Sequence, residues 1–288
     1  MNRPTWLFAL CSCALTLAGC SGDHAFEELR DKEPITYTSG TLKISGLLSK
    51  PPGKGPFPLL LINHGGFEPT SSVAWLMDLF IAKEFVTLAA DFRGCGKSNG
   101  ARELAMGEVD DVLNALEYAR GLPYVDSRRV GAWGFSSGGS IALLAASRGR
   151  DIRAVVSVQG PIEVADCFMS WVEYRDRPNS EVRIGLASVI GGTPDQVPEE
   201  WKIRSPLYVA DRIKCPVLLI YGDRDDAVPA DQGGRMEAAL QKSGNISVSL
   251  MMVEGANHGL DEKSWPGAIN AMTGFFRREL GTDEPTPR

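Results

Sequence analysis

The sequence predicts an α/β fold built on a mostly parallel sheet with helices on both faces. Three observations carry that expectation. Short apolar runs alternate with longer amphipathic segments along most of the chain, the order that strand–helix–strand units produce. Several runs are apolar at every position rather than at every second one, as strands covered on both faces are. The pattern Gly-x-Ser-x-Gly stands at residues 134–138, where one such run meets a helix-forming stretch.

The first residues stand outside this scheme. MNRPTWLFALCSCALTLAGC carries one positive charge, at Arg3, and then an apolar run over residues 6–18. That run is too short to span a bilayer and has the length of a signal-peptide core. Its end, Leu17-Ala18-Gly19-Cys20, resembles a bacterial lipobox, in which cleavage precedes a cysteine that takes lipid. The expectation is a signal peptide over residues 1–19, lipid on Cys20 and a tether over residues 20–35 that holds His24. The membrane contact is then the lipid alone. Ser21 after the cysteine points to the periplasmic side of the outer membrane.

From there the elements follow in order. Leu42–Ser49 reads as a strand that ends at the turn PPGKGP, and residues 58–63 as a buried strand. Residues 73–83 have helical spacing, with Trp75, Leu76, Leu79 and Phe80 on one side. Val86–Ala90 is the next strand and stops at Asp91; residues 108–120 form a helix. A strand over residues 129–135 leads into a helix over residues 138–148. Strands at residues 152–158, 217–221 and 248–253, with helices at residues 232–241 and 265–280, complete a domain over residues 36–281. The polar tail 282–288 is expected to fray.

Residues 161–212 break the alternation and read as a lid-like insertion. Phe168, Trp171, Tyr174 and Trp201 stand there among many charges and are taken as walls of a substrate pocket.

Composition narrows the function. A hydrophobic content of 43% and a charged content of 23% are those of an ordinary globular protein. The net charge of −6, with no basic stripe, argues against nucleic acid as a partner. Cys95, Cys167 and Cys215 remain after the leader and stand at no metal-ligand spacing, so neither metal nor cofactor is expected; one disulfide among them stays open. Gly96-Lys97-Ser98 ends like a phosphate-binding loop, but the position of that motif's first glycine is Asp91.

Ligands of such sheets bind beyond the carboxyl ends of the strands, so the reactive groups should follow the apolar runs directly. Two serines match Gly-x-Ser-x-Gly, Ser98 in GKSNG and Ser136 in GFSSG. A nucleophile elbow needs a strand before the serine and a helix after it, and Ser136 alone has both. A hydroxyl needs a base, and the chain has three histidines: His24 in the tether, His64 directly after a strand, and His258 between the last strand and the last helix. His258 is where a base would hang over the elbow. Asp223, Asp225 and Asp226 all follow the strand at residues 217–221, and the chain order Ser…Asp…His suits any of them.

Together the pieces LLLINHGGF, DFRGCGKSNG, GFSSGG, RSPLYVADRIKCPVLLIYGDRDDAVP and GANHG resemble the α/β-hydrolase superfamily from about Leu42 to Leu280. The resemblance is greatest to the branch holding prolyl-oligopeptidase-type catalytic domains and dienelactone-hydrolase-like esterases. It implies Ser136 as nucleophile, His258 as base and Asp225 as the acid, third after the glycine and three before Val-Pro. It implies an oxyanion hole from the N–H of Ser137 and one from Gly66 or Phe67, with His64 bracing the loop. Peptidases of this type usually carry an N-terminal β-propeller, for which the stretch after Cys20 is too short. The first expectation is therefore a carboxylic ester hydrolase of modest-sized substrates. A peptidase of short peptides comes second, and an inactive binding protein of the envelope third.

Overall fold

The computed structural model describes residues 32–66, 68–81, 84–149, 151–173, 180–245 and 247–281. Cys20 and His24, the leader, Phe67, Tyr174 and the tail 282–288 lie outside the described residues, and so does the side chain of Trp171.

Leu59, Leu60, Leu61 and Ile62 are each 1% exposed or less, because their strand lies in the middle of an eight-stranded sheet. The strands are β1 (Glu33–Ser39), β2 (Leu42–Ser49), β3 (Phe57–Asn63), β4 (Val86–Ala90), β5 (Val125–Phe135), β6 (Ala154–Val158), β7 (Val217–Gly222) and β8 (Val248–Val253). Their order across the sheet is β1-β2-β4-β3-β5-β6-β7-β8. β1, β2 and β4 pair antiparallel, and every pair from β4 onward is parallel.

Alternate side chains of β3 feed two cores. Leu59 and Leu61 belong to one core with residues of α2 (Gly107–Arg120), α3 (Ser137–Ser147) and α7 (Asp231–Lys242); Leu60 and Ile62 belong to the core on the other face with residues of α1 (Ala74–Ile81) and α8 (Trp265–Leu280). A strand sandwiched in this way has no polar face, so its sequence shows none. Because the strands from β4 to β8 across the sheet are parallel, their carboxyl ends lie on one rim.

The sheet also contains an edge strand that periodicity did not bring out. β1 begins at Glu33, inside the segment read as tether, and pairs with β2 from Glu33↔Leu48 to Ser39↔Leu42. Ile35, Tyr37 and Ser39 point inward and the intervening residues outward. Lys32 just before it bonds Asp78 of α1 at 2.6 Å.

Residues 161–212 hold α4 (Val164–Glu173), α5 (Ser180–Ile190), α6 (Pro198–Lys202) and a 3₁₀ turn (Pro206–Arg212), between β6 and β7. Their apolar groups make a small core of their own. Phe168 and Trp201 meet with ring centroids 4.7 Å apart, Ile190 joins them, and the Trp201 indole N–H donates to the Gly192 carbonyl at 3.1 Å. Phe168, expected as a pocket wall, is thus packed inside the insert. Phe168 is 3% exposed and Trp201 1%, and each serves the packing of the insert. Trp201 also lines a cavity of about 180 Å³ together with Glu163, Lys202 and Tyr208.

Candidate active site

β5 turns into α3 at Ser136, whose backbone has φ 52° and ψ −126°. A non-glycine residue in this region is strained, and the surroundings hold it there. The Ser136 N–H donates to the Val158 carbonyl at 2.8 Å, and its own carbonyl accepts from the Gly139 N–H at 2.8 Å. A Cβ on Gly134 would stand 2.0 Å from the Gly138 carbonyl oxygen, and one on Gly138 would stand 2.2 Å from that of Asn63. Both glycines are therefore imposed by a turn pressed against the end of β3.

The loop after β8 brings His258 over this turn. Its Nε2 lies 3.1 Å from the Ser136 hydroxyl and its Nδ1 2.9 Å from Oδ2 of Asp225. The Asp225 side chain is fully buried, and its Oδ1 accepts from the Ala227 and Val228 N–H groups, each at 2.8 Å. A carboxylate held on that side asks Nδ1 to carry the proton, which leaves Nε2 free to accept from the serine. Phe135 packs on the imidazole at 5.2 Å between ring centroids. Among the three aspartates, Asp225 is thus the one brought to His258. Asp223 instead accepts from the Gly255 N–H at 2.6 Å and ties two loops, while Asp226 is exposed.

Ser98 lies in a different structure. Its hydroxyl accepts from the Ser45 N–H at 2.9 Å and donates to the Asp91 carbonyl, pinning its loop to β2. The Asp91 carboxylate accepts from the N–H groups of Thr70 at 2.7 Å and Lys97 at 3.1 Å, so an aspartate fills the nest where a phosphate would sit.

His64 is fully buried with its ring against Phe92, 4.5 Å between centroids. Its Nδ1 lies 3.2 Å from the Gly65 carbonyl, and burial pushes its pKa down to about 4. It is a neutral brace under the loop.

The oxyanion candidates sit close to the elbow. The Gly65 Cα approaches Ser136 so nearly that an added Cβ would lie 3.1 Å from the serine's own Cβ. Ser137 opens α3, where backbone N–H groups are free of helical partners. The Gly66 N–H donates to the Ser137 hydroxyl at 3.0 Å, so this amide is engaged by the neighbouring side chain.

Cys95 and Cys167 are buried and Cys215 is half-buried, all three as free thiols. Among the described residues no group of three or more His, Cys, Asp or Glu side chains converges as a metal site would require. Motif reading passed over Gln159, which bonds both neighbours of His258. Its signal is geometric, and only the folded chain displays it.

A strained serine at a strand-to-helix turn, on the carboxyl rim of a mainly parallel sheet, defines the α/β-hydrolase class, and this chain is a serine hydrolase of that class. Residues 71–283 match the prolyl oligopeptidase family, Peptidase_S9. The chain belongs to that family. It is 31% identical to the uncharacterized peptidase YtmA of Bacillus subtilis over 210 residues, 72% of this chain and 79% of the relative. It is 27% identical to the acylamino-acid-releasing enzyme of Rattus norvegicus over 81% of its own length, and spans 33% of that longer protein.

Among solved structures, the acylaminoacyl peptidase of Pyrococcus horikoshii superposes with a TM-score of 0.74 at 22% identity, over 94% of this chain and 45% of that one. The Pyrococcus furiosus esterase PF2001 superposes with a TM-score of 0.71 at 19% identity, over 92% and 96%. At these identities the superpositions establish the fold.

Proposed function

We propose that this chain is a serine peptidase that cleaves short peptides through an acyl-enzyme, with Ser136 as nucleophile, His258 as base and Asp225 as its orienting acid. The observation that carries the reading is the unbroken line of hydrogen bonds from Asp225 through His258 to Ser136, in a chain of the prolyl oligopeptidase family. The Ser136 hydroxyl attacks the scissile carbonyl as Nε2 takes its proton, and Asp225 stabilises the imidazolium. The negative oxygen then develops beside the first amides of α3, where the donors are the Ser137 N–H and one from Gly66 or Phe67. His258 returns the proton to the departing amine, which an amide nitrogen requires and an activated ester does not. Water repeats the sequence on the acyl-enzyme.

Peptides are preferred here to the esters first expected, because the family match and the relative YtmA, named a peptidase and covered over 79% of its length, both favour them. The test compares kcat/KM on short acylated and free peptide anilides with that on nitrophenyl esters of matching acyl groups. Cleavage of at least one peptide series, abolished in Ser136→Ala, is expected. Ester turnover with every peptide left intact returns the ester hydrolase to first place.

A further inference from the structure

Gln159 directly follows β6 in a left-handed backbone conformation, φ 51°, and is fully buried. Such a φ is strained for a non-glycine residue, so a glycine would be the easier choice if only the backbone mattered. The side chain is what a glycine would lack. Its Nε2 donates to the Asn257 carbonyl at 2.7 Å, and its Oε1 accepts from the Gly259 N–H at 2.7 Å. These are the backbone groups on either side of His258. The amide cannot be turned over, since that would set NH₂ against N–H and carbonyl against carbonyl.

The loop is also tied at its ends, where Gly255 N–H donates to Asp223 at 2.6 Å and the buried Leu260 donates its N–H to the Asn257 carbonyl at 3.2 Å. The His258 ring meets Asp225, and the Gln159 amide is what holds the two peptide groups flanking His258 from the sheet. Asn257 is exposed, His258 and Gly259 are partly so, and Gly255 and Gly259 have φ of 74° and 109°. Ala256 is held by bonds to the strand ends, its N–H to Val253 at 3.3 Å and its carbonyl from Arg224 at 3.0 Å. Between Ala256 and the buried Leu260, Gln159 braces the backbone on both sides of His258 from the end of β6. The neighbouring strand is thinned to let it pass: a Cβ on Gly222 would lie 3.0 Å from the Gln159 amide nitrogen and 2.3 Å from the Ala256 carbonyl oxygen.

We infer that Gln159 is a positioning residue that sets the reach of His258 to Ser136, an inference that rests on the catalytic roles proposed above. The clamp holds the two peptide groups that bear the imidazole, and so fixes the 3.1 Å approach of Nε2 to the hydroxyl. Displacement of a general base by about 1 Å costs on the order of 100-fold in rate, while substrate contacts elsewhere are unchanged.

The experiment measures kcat, KM and thermal midpoint of Gln159→Leu and Gln159→Gly beside Ser136→Ala, on one nitrophenyl ester. Leucine keeps the bulk and removes both hydrogen bonds; glycine removes them while relieving the strained φ, so it remains informative if the leucine variant does not fold. A fall in kcat of about 10- to 100-fold, with KM within about threefold, in protein that still melts cooperatively, is the expected result. Wild-type kcat in either folded variant while Ser136→Ala is dead overturns the clamp and leaves the triad standing. A raised KM at unchanged kcat also overturns it, by making Gln159 a substrate-side residue. Turnover surviving in Ser136→Ala overturns both readings.

Discussion

Replacing Asp225 by asparagine changes one atom and should silence the enzyme. The structure dictates how the new amide must sit. Oδ1 of Asp225 accepts two backbone N–H groups at 2.8 Å, from Ala227 and Val228. An NH₂ group there would face two donors and leave all of them unpaired in a fully buried place, so the asparagine keeps its carbonyl oxygen on that side. Its NH₂ then occupies the position of Oδ2, 2.9 Å from His258 Nδ1. A donor facing Nδ1 moves the imidazole proton to Nε2, which stands 3.1 Å from the Ser136 hydroxyl and can no longer accept from it. Where a triad is caught in this wrong tautomer kcat falls about 10⁴-fold, and at 1.36 kcal/mol per tenfold that is about 5.5 kcal/mol of barrier. The assay is ester and peptide turnover by Asp225→Asn, Asp223→Asn and Asp226→Asn, each with its melting curve. Asp223 needs only an acceptor for Gly255 N–H, which asparagine supplies, so that variant should stay within about threefold of wild type. A loss under tenfold in Asp225→Asn, or equal losses at all three positions, would refute the tautomer argument and the choice of acid.

The elbow should tolerate no added methyl: Gly138→Ala places a Cβ 2.2 Å from the Asn63 oxygen and 2.6 Å from that of His64, both backbone, so a destabilisation of about 3 kcal/mol or more is expected from a thermal or denaturant melt, together with lost fluorophosphonate labelling of Ser136. For His64, burial holds the folded pKa at about 4 against an ordinary 6.5, so the unfolded chain binds the extra proton first as pH falls. Its contribution is complete above the unfolded pKa and is lost as the pH drops toward 4, about 2 kcal/mol of it between pH 7 and pH 5. Denaturant midpoints of His64→Gln should therefore fall less over that interval than those of the wild type; parallel slopes would contradict a buried neutral imidazole. At the amino terminus, mass spectrometry of the processed protein from a bacterial envelope should find diacylglycerol on Cys20, and an uncut or unmodified terminus removes the lipobox reading.

The central parallel strands were legible because burial on both faces writes itself into sequence as near-continuous apolar runs, and β3, β4 and β7 start within a residue of where those runs do. β1 was not, for a physical reason. An edge strand needs only one apolar face, and in Glu33-Pro-Ile-Thr-Tyr-Thr-Ser39 that face is Ile35 and Tyr37 alone. Pro34, which cannot donate to a ladder, removes the remaining strand signal although an edge accommodates it. The aromatics of the insertion show a different limit. Phe168 and Trp201 are rich in contact surface, and composition does not say whether that surface meets a substrate or another side chain. Their partners turned out to be each other, across a distance in sequence that no local period spans.

The residues proposed to react could be read early because each is tied to a chain-local event: Ser136 to a strand–helix turn between glycines, His258 to the loop before the last helix, Asp225 to the end of β7. Choosing among three neighbouring aspartates was already beyond local reasoning and needed family resemblance; the structure brings Asp225 to His258 because Ala227 and Val228 fold back onto it. Gln159 lies further out still. Nothing beside it in sequence marks it, and its partners are almost a hundred residues away, so its meaning exists only where β6 and β7 end together under the histidine loop. The same reasoning accounts for the glycine at the end of β7. Gly222 reads locally as the start of a turn, yet its φ is ordinary and it is the crossing of the Gln159 amide and the Ala256 carbonyl that excludes a side chain there. A motif therefore records the atoms that react, while the groups that hold those atoms at reacting distance are chosen by the sheet and scattered along the chain.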